Sequence, residues 1–418
     1  MKEVKILLDI DNYNENSFLK LKLFCELIFK LIFDLKYVLC IFVILFLLSI
    51  PSFSLFYDEN FIDLTPFIKY VTDCKNFIKY NREAIINDHP YISVCISAKN
   101  MQDYIEKNLL SILNQSFQNF EIIIVNDGSD DETENIIHRI QSTDKRIKLL
   151  THSKNKGVYR SRVEAIYNSN SEYTLIMDPD DMYLNENLFQ ELYNYNLQYN
   201  LDIIEFSVMH QIDGYNNIFY PKLHIANHYH NFSKSIIFQP ELSNILYYLP
   251  GTKQYSRTIC RNIWNKMIRN KLLIQASKYI GNDYYNEYII TTDDMMLNII
   301  VYQFSQNFSN INLLGYLYVR RKVSMSRGGG ENLIRTRAKN YVLYVLLFYK
   351  YMHDYNKDIN FLFYEMKNIE HNLLLIKEYN MTKFKEILQN LISRIQNENS
   401  LSDEFQSYLR NLTLTFEN

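Results

Sequence analysis

The chain has 418 residues, of which 47 % are apolar, enough for a large core in one main domain with additions. A formal net charge of -3 without any block of Lys and Arg excludes the electrostatic footprint of a nucleic-acid binder. Five cysteines in this length exclude a disulfide framework, although Cys74 and Cys260 could pair if both are lumenal.

In chain order, residues 1–36 lead into residues 37–57, which carry no charge. The run VLCIFVILFLLSI with its flanks is long enough to cross a bilayer, and one transmembrane signal-anchor is expected. Lys20, Lys22, Lys30 and Lys36 before it, against Lys69 and Lys75 after it, favour a cytoplasmic N-terminus and a lumenal bulk. Ser52-Phe53-Ser54 resembles a small-residue cleavage site, so removal of the segment is the alternative. Sequons at Asn231, Asn307, Asn380 and Asn411 fit a lumenal domain. Residues 58–89 read as a stem of short helices.

From His89-Pro90 onward, apolar runs alternate with helical patterns. Strands are expected at 91–97, 120–126, 147–151, 173–178 and 203–209, with helices at 104–114, 132–141, 158–167 and 186–199. That alternation implies an α/β domain over residues 90–330, with a mostly parallel sheet flanked by helices. Residues 331–418 read as a helical C-terminal region, and YVLYVLLFYK within it is too short to span a membrane.

Four turns fall at carboxyl ends of these strands: SVCISAKN, IIIVNDGSDDET, NKGVYRSR and YTLIMDPDD. In the last, Pro179 stops the strand and pushes Asp178 toward an extended conformation, so Asp178 and Asp180 emerge at the sheet edge. Hard carboxylate oxygens that leave coordination positions open suit Mn²⁺ or Mg²⁺, and an Asp-rich helix cap is the plainer reading. Ser129 and Glu132 have capping-box spacing, which would explain Ser129 without explaining Asp127.

Together these turns resemble glycosyltransferase family two, the inverting sugar-nucleotide transferases of GT-A fold, in order and spacing as well as residue type. The resemblance covers about residues 90–200. It implies that Ser97, Asp127 and Arg162 lie on the nucleotide, with Asp127 toward the base, and that Asp178 with Asp180 binds ribose, metal and diphosphate. In this chain Ser97 stands for the family's proline, Lys99 for its tyrosine, Asn126 for the first of two aspartates and Val163 for an asparagine.

Further along, YIITTDDMMLNII places Asp293 and Asp294 before an apolar helix and resembles the family's acidic pair, Asp294 matching the general base; a helix N-cap is the alternative. The segment IWNKMIRNKLL carries the only tryptophan, Trp264, either as an acceptor-side aromatic face or as core. YVRRKVSMSRGGG holds Arg320, Arg321, Lys322 and Arg327 ahead of Gly328, Gly329 and Gly330. It could close over a departing diphosphate, with Arg321 and Arg327 on the nucleotide-sugar, or be a solvated basic loop. His224, His228 and His230 lack a carboxylate pattern expected of a zinc site.

The sequence therefore leads to a single-pass, metal-dependent inverting glycosyltransferase of the Golgi or ER. It would move a sugar from a nucleotide-sugar donor, UDP-linked by default, to a glycan, lipid or protein acceptor. A nucleotidyltransferase or other sugar-nucleotide enzyme of the same fold, and a catalytically silent membrane-anchored binding protein, are the alternatives.

Overall fold

A computed structural model describes residues 86–212, 219–221, 236–239, 262–321, 329–398 and 400–417. The chain divides into two units, Met1–Lys75 and Asn76–Asn418, and every described residue lies in the second. The expected anchor at 37–57, Cys74, Cys260, the three histidines between 224 and 230 and Arg327 lie outside the described residues. Among the described residues no helix is long and apolar enough to cross a membrane.

The first half alternates as expected apart from the short β5: β1 (Ile92–Ala98), α1 (Ile105–Leu113), β2 (Phe120–Asn126), α2 (Thr133–Gln141), β3 (Ile147–Thr151), α3 (Val158–Tyr167), β4 (Tyr173–Met177), β5 (Met182–Tyr183) and α4 (Leu188–Tyr199). Next come β6 (Ile203–Ile212), β7 (Phe219–Pro221), β8 (Ile236–Phe238), β9 (Lys266–Arg269), α5 (Asn270–Ile280), α6 (Asn282–Tyr285), α7 (Asp293–Phe304) and β10 (Asn307–Arg320). Four helices complete the chain: α8 (Glu331–Asp354), α9 (Asn360–Glu378), α10 (Thr382–Gln396) and α11 (Asp403–Glu417).

The main sheet runs β3-β2-β1-β4-β9-β6-β10-β5, with β7 on β6 and β8 on β10. It is mixed, which corrects the mostly parallel expectation. β3, β2, β1 and β4 are parallel neighbours, as are β6 and β10, but β9 enters antiparallel between β4 and β6. Because β9 reverses twice over, β4, β6 and β10 still point the same way.

Alternation of side chains along β1 divides the interior into two cores, as the two-residue period of a strand requires. Ile92, Val94 and Ile96 pack with Leu109 of α1 and Phe189 of α4. Cys95 faces the other way, toward a core that holds Ile166 of α3, Leu273 of α5 and Ile300 of α7. Val342 and Val345 of α8 belong to this second core, so the C-terminal helices pack directly on the face that carries α3 and α7.

Candidate active site

Since the parallel strands share a direction, the ends of β1, β2, β3, β4, β6 and β10 gather on one edge of the sheet, where open α/β sheets bind ligands. The antiparallel β9 starts at this same edge, which brings Ile263 and Trp264 there. All the acidic and basic groups singled out within the described residues lie around it.

The turn after β4 is fixed from two sides. Asn108 of α1 donates to the carbonyls of Asp178 and Asp181, both at 2.9 Å. The Tyr316 hydroxyl donates to Asp181 Oδ2 at 2.8 Å, and the Val319 amide donates to Asp181 Oδ1 at 2.7 Å. Both oxygens of buried Asp181 are thus spent on β10, and Asp178 and Asp180 are the two left facing the edge. Asp180 Oδ2 lies 2.5 Å from Arg321 Nε, directly after β10. The Arg321 guanidinium sits 5.4 Å from the centre of the Tyr104 ring.

Arg162, on the second turn of α3, is the hub. Its Nη2 donates to Asp178, and its Nη1 donates to both Asp293 and Asp294 at the start of α7. One buried guanidinium thereby joins the strand-end Asp178 to the acidic pair more than a hundred residues later. Asp294 also accepts the Ile263 amide. Thr292 occupies the N-cap position of α7 with φ of 69° and makes no side-chain cap bond. For a β-branched residue this is a strained conformation. The helix-cap alternative for Asp293 and Asp294 fails in the same way, because their side chains turn to Arg162.

Burial raises Asp178 above the usual carboxylate range against the pull of Arg162, and Asp294 adds to the rise. Burial also raises Asp180 and Asp293, with the charge of Asp178 contributing to both. Asp294 is pushed up to about 6 by burial and by Asp293, despite Arg162. Burial alone would lower Arg162, but Asp293, Asp294 and Asp178 together hold it charged.

On the far side of the edge, Asp127 is 3 % exposed and fully engaged. Its Oδ1 accepts the Lys156 amide at 2.8 Å and meets His152 Nδ1 at 2.8 Å, and its Oδ2 accepts the Gly157 amide at 2.9 Å. The carboxylate thus shapes the 155–157 turn at the start of α3. His152 Nε2 lies 2.5 Å from Glu164 Oε2. Burial would raise Glu164, yet His152, Tyr285 and Arg160 hold it at about 2. Ser97 is half-buried near the end of β1, opposite Val125. Lys99 Nζ donates to the Gly128 carbonyl at 2.6 Å.

Ser129 does not cap α2, which corrects the capping-box reading. Its hydroxyl accepts the Asn100 amide at 3.0 Å, and the Thr133 amide that opens α2 donates to Asp131 Oδ1 at 3.0 Å instead. Trp264 is 4 % exposed and lies nearly parallel to Tyr316 and Tyr318, with ring centres 4.7 and 5.4 Å away. Its position is that of the core alternative, just before β9 and beneath the surface of the sheet edge.

Asp178 and Asp180 form the donor set open to a metal. Each engages an arginine through one oxygen, and no group of three or more His, Cys, Asp or Glu side chains among the described residues makes a ready cage. Two hard carboxylates without a cage fit Mg²⁺ or Mn²⁺, which take their other positions from water and phosphate.

Residues 93–264 match the family model described as Glycosyl transferase family 2. This stretch belongs to that family. The acidic pair at Asp293 and Asp294 lies beyond the matched residues. An uncharacterized glycosyltransferase of Haemophilus influenzae is 37 % identical over 112 residues, 27 % of this chain and 44 % of that protein. Glycosyltransferase GlyA of Streptococcus pneumoniae is 26 % identical over 238 residues, 56 % of this chain and 31 % of that protein. The chain thus spans less than half the length of these curated relatives. The crystal structure of S. aureus TarS 1-349 in complex with UDP-GlcNAc is similar with a TM-score of 0.55 at 17 % identity, over 78 % of this chain and 89 % of that one. At that identity the likeness shows a shared fold.

Reading the sequence missed Asp181, Tyr316 and Asn108 as the clamp of the acidic turn, and His152 and Glu164 behind Asp127. Asp181 sits in the same DPDD string; the others carry no local signal, since their partners are distant in sequence.

Proposed function

We propose that this chain transfers a sugar from a nucleotide-sugar donor to an acceptor hydroxyl with inversion at the anomeric carbon. The observation that carries the reading is Arg162, which binds strand-end Asp178 and the α7 pair, Asp293 and Asp294, in one buried hub. The family match of residues 93–264 supports the reaction class, and the UDP-GlcNAc in the TarS crystal supports a UDP-sugar as donor.

Asp178 and Asp180 would hold Mn²⁺ or Mg²⁺, which when bound draws charge from the donor diphosphate. Asp294 takes the proton of the acceptor hydroxyl as its oxygen bonds to the anomeric carbon, while the bond from that carbon to the diphosphate oxygen breaks with its electron pair. Arg321 neutralises charge on the departing diphosphate from its place beside Asp180. Asp293 holds Arg162 in position for the same diphosphate, and Ser97 and Asp127 line the base side. Arg327 is proposed for the diphosphate from the sequence alone.

The acceptor is a glycan, lipid or protein hydroxyl. The same reading keeps residues 37–57 as a membrane anchor with the catalytic domain lumenal in the Golgi or ER, supported by their lack of charge and by the lysine bias around them. A glycosidase-induced mobility shift of the expressed protein tests that side of the membrane.

The deciding experiment is UDP release from UDP-GlcNAc by the full chain with MnCl₂, beside Asp178→Ala and an EDTA-treated sample. Release that is lost in both controls is expected. Release that survives both would remove the metal from the reading, and absence of nucleotide binding would leave the silent binding protein.

A further inference from the structure

Tyr288 is 37 % exposed among the large apolar and aromatic side chains of the described residues. Other such residues lie elsewhere: Tyr167 and Tyr199 end helices that run away from the strand carboxyl ends, and Leu414 is in α11. Tyr288 instead stands against the turn between β3 and α3. A Cβ built on Gly157 would lie 3.3 Å from its ring, and its hydroxyl is hydrogen-bonded to the Asn155 side chain.

The backbone that carries the ring is also fixed. The Tyr288 carbonyl accepts Asn340 Nδ2 at 3.0 Å, and the Ile290 amide donates to Asn340 Oδ1 at 3.0 Å. Between them, the Ile289 carbonyl accepts the Tyr159 amide at 3.3 Å. A partly exposed aromatic ring on a fixed backbone, with its hydroxyl bonded to a neighbour, loses little freedom when a flat ligand covers it, and stacking on such a ring is tolerant of base identity. Arg162 lies five residues after Gly157 on α3, about 7.5 Å of helix rise. A ligand with its diphosphate at the Asp178 hub and a ribose between can therefore carry its base to the 155–157 turn.

We infer that Tyr288 is the stacking platform for the nucleobase of the donor. This rests on the nucleotide-sugar reading and adds the residue that receives the base. The loop that presents Tyr288 ends at Asp293 and Asp294, so one segment contacts the base and delivers the acidic pair.

Calorimetric titration of the full chain with UDP and with ribose 5-diphosphate, each with MnCl₂, tests the assignment in wild type, Tyr288→Ala and Tyr288→Phe. Tyr288→Ala should weaken UDP about five- to 150-fold, the factor given by ~1–3 kcal/mol of base stacking. It should leave ribose 5-diphosphate, which lacks the base, unchanged, and Tyr288→Phe should bind UDP as wild type does. Unchanged UDP affinity in Tyr288→Ala, or equal losses on both ligands, overturns the assignment while leaving the nucleotide reading intact. A wild-type chain that binds neither ligand overturns both.

Discussion

Asn340 of α8 accepts the Ile290 amide and donates to the Tyr288 carbonyl, each at 3.0 Å, so a fully buried side chain of the C-terminal helices carries the segment that leads into Asp293 and Asp294. The C-terminal helices thereby support that segment, although among the described residues none of their side chains is among the acidic and basic groups at the sheet edge. Truncating Asn340 leaves a backbone donor and a backbone acceptor without their partner, at ~1–3 kcal/mol for each buried group. Asn340→Ala should therefore lower the melting temperature by several degrees. Weaker UDP binding should accompany it, as Tyr288 is released. Thermal unfolding by circular dichroism checks the first part; an unchanged transition would mean that the loop is held by other contacts.

Such a coupling could not have been read from the chain. The alternation from β1 to α4 was legible because each apolar run is short and separated by a helical pattern. β10 was not: a register shift between Ile311 and Leu314 breaks its two-residue period. The direction of β9 is invisible in four residues, KMIR, and without it the sheet reads as parallel. Asp178 and Asp180 were legible because a proline ends their strand, and Asp293 and Asp294 because they precede an apolar helix. That one arginine joins the two pairs depends on tertiary packing across 131 residues from Arg162 to Asp293. Asp127 carries a structural role that residue type does not announce: besides the base contact expected of it, its carboxylate accepts the Lys156 and Gly157 amides and meets His152.

Gly157 has φ of 97°, and a Cβ there would stand 2.7 Å from the Ile289 carbonyl oxygen and 3.0 Å from the Ile289 nitrogen. Both obstacles are backbone, so the turn cannot yield by a side-chain rotation. Gly157→Ala combines the strain of a backbone region essentially confined to glycine, ~1–3 kcal/mol, with displacement of the Tyr288 loop. The expected result is a lower melting temperature together with a weaker UDP titration. A variant that melts lower yet binds UDP normally would show the turn and the nucleotide site to be independent.

Arg162→Met would leave the carboxyl groups of Asp178, Asp293 and Asp294 in a buried place without their shared counter-charge. Breaking a buried ion pair from one side costs about 3–5 kcal/mol at neutral pH. The deficit should shrink in acid, and the sign follows from proton binding. With the guanidinium gone the folded-state pKa values rise further above the ordinary value of about 3.9, so the native state binds more protons than the unfolded chain and its stability rises as pH falls. Urea unfolding of wild type and variant at pH 8 and pH 5.5 measures this. An equal deficit at both values would mean that the methionine is poorly packed and that charge is not the cause.

Asp294, pushed up to about 6 by burial and Asp293 against the pull of Arg162, sets the last expectation. A general base works in its unprotonated form, so kcat/KM should fall about tenfold per pH unit below this value and level off above it. Asp294→Asn should lose about 10²- to 10⁴-fold in turnover while keeping UDP affinity, because Asp178 and Asp293 still hold Arg162. Asp293→Asn should show the opposite balance. It removes a buried partner of Arg162 and so weakens nucleotide binding more than it slows the bound donor. A pH-rate profile of UDP release with both variants separates the roles. A flat profile from pH 5 to 8, or an Asp294→Asn variant that loses binding and turnover together, would assign Asp294 to the support of Arg162 and leave the base to another group.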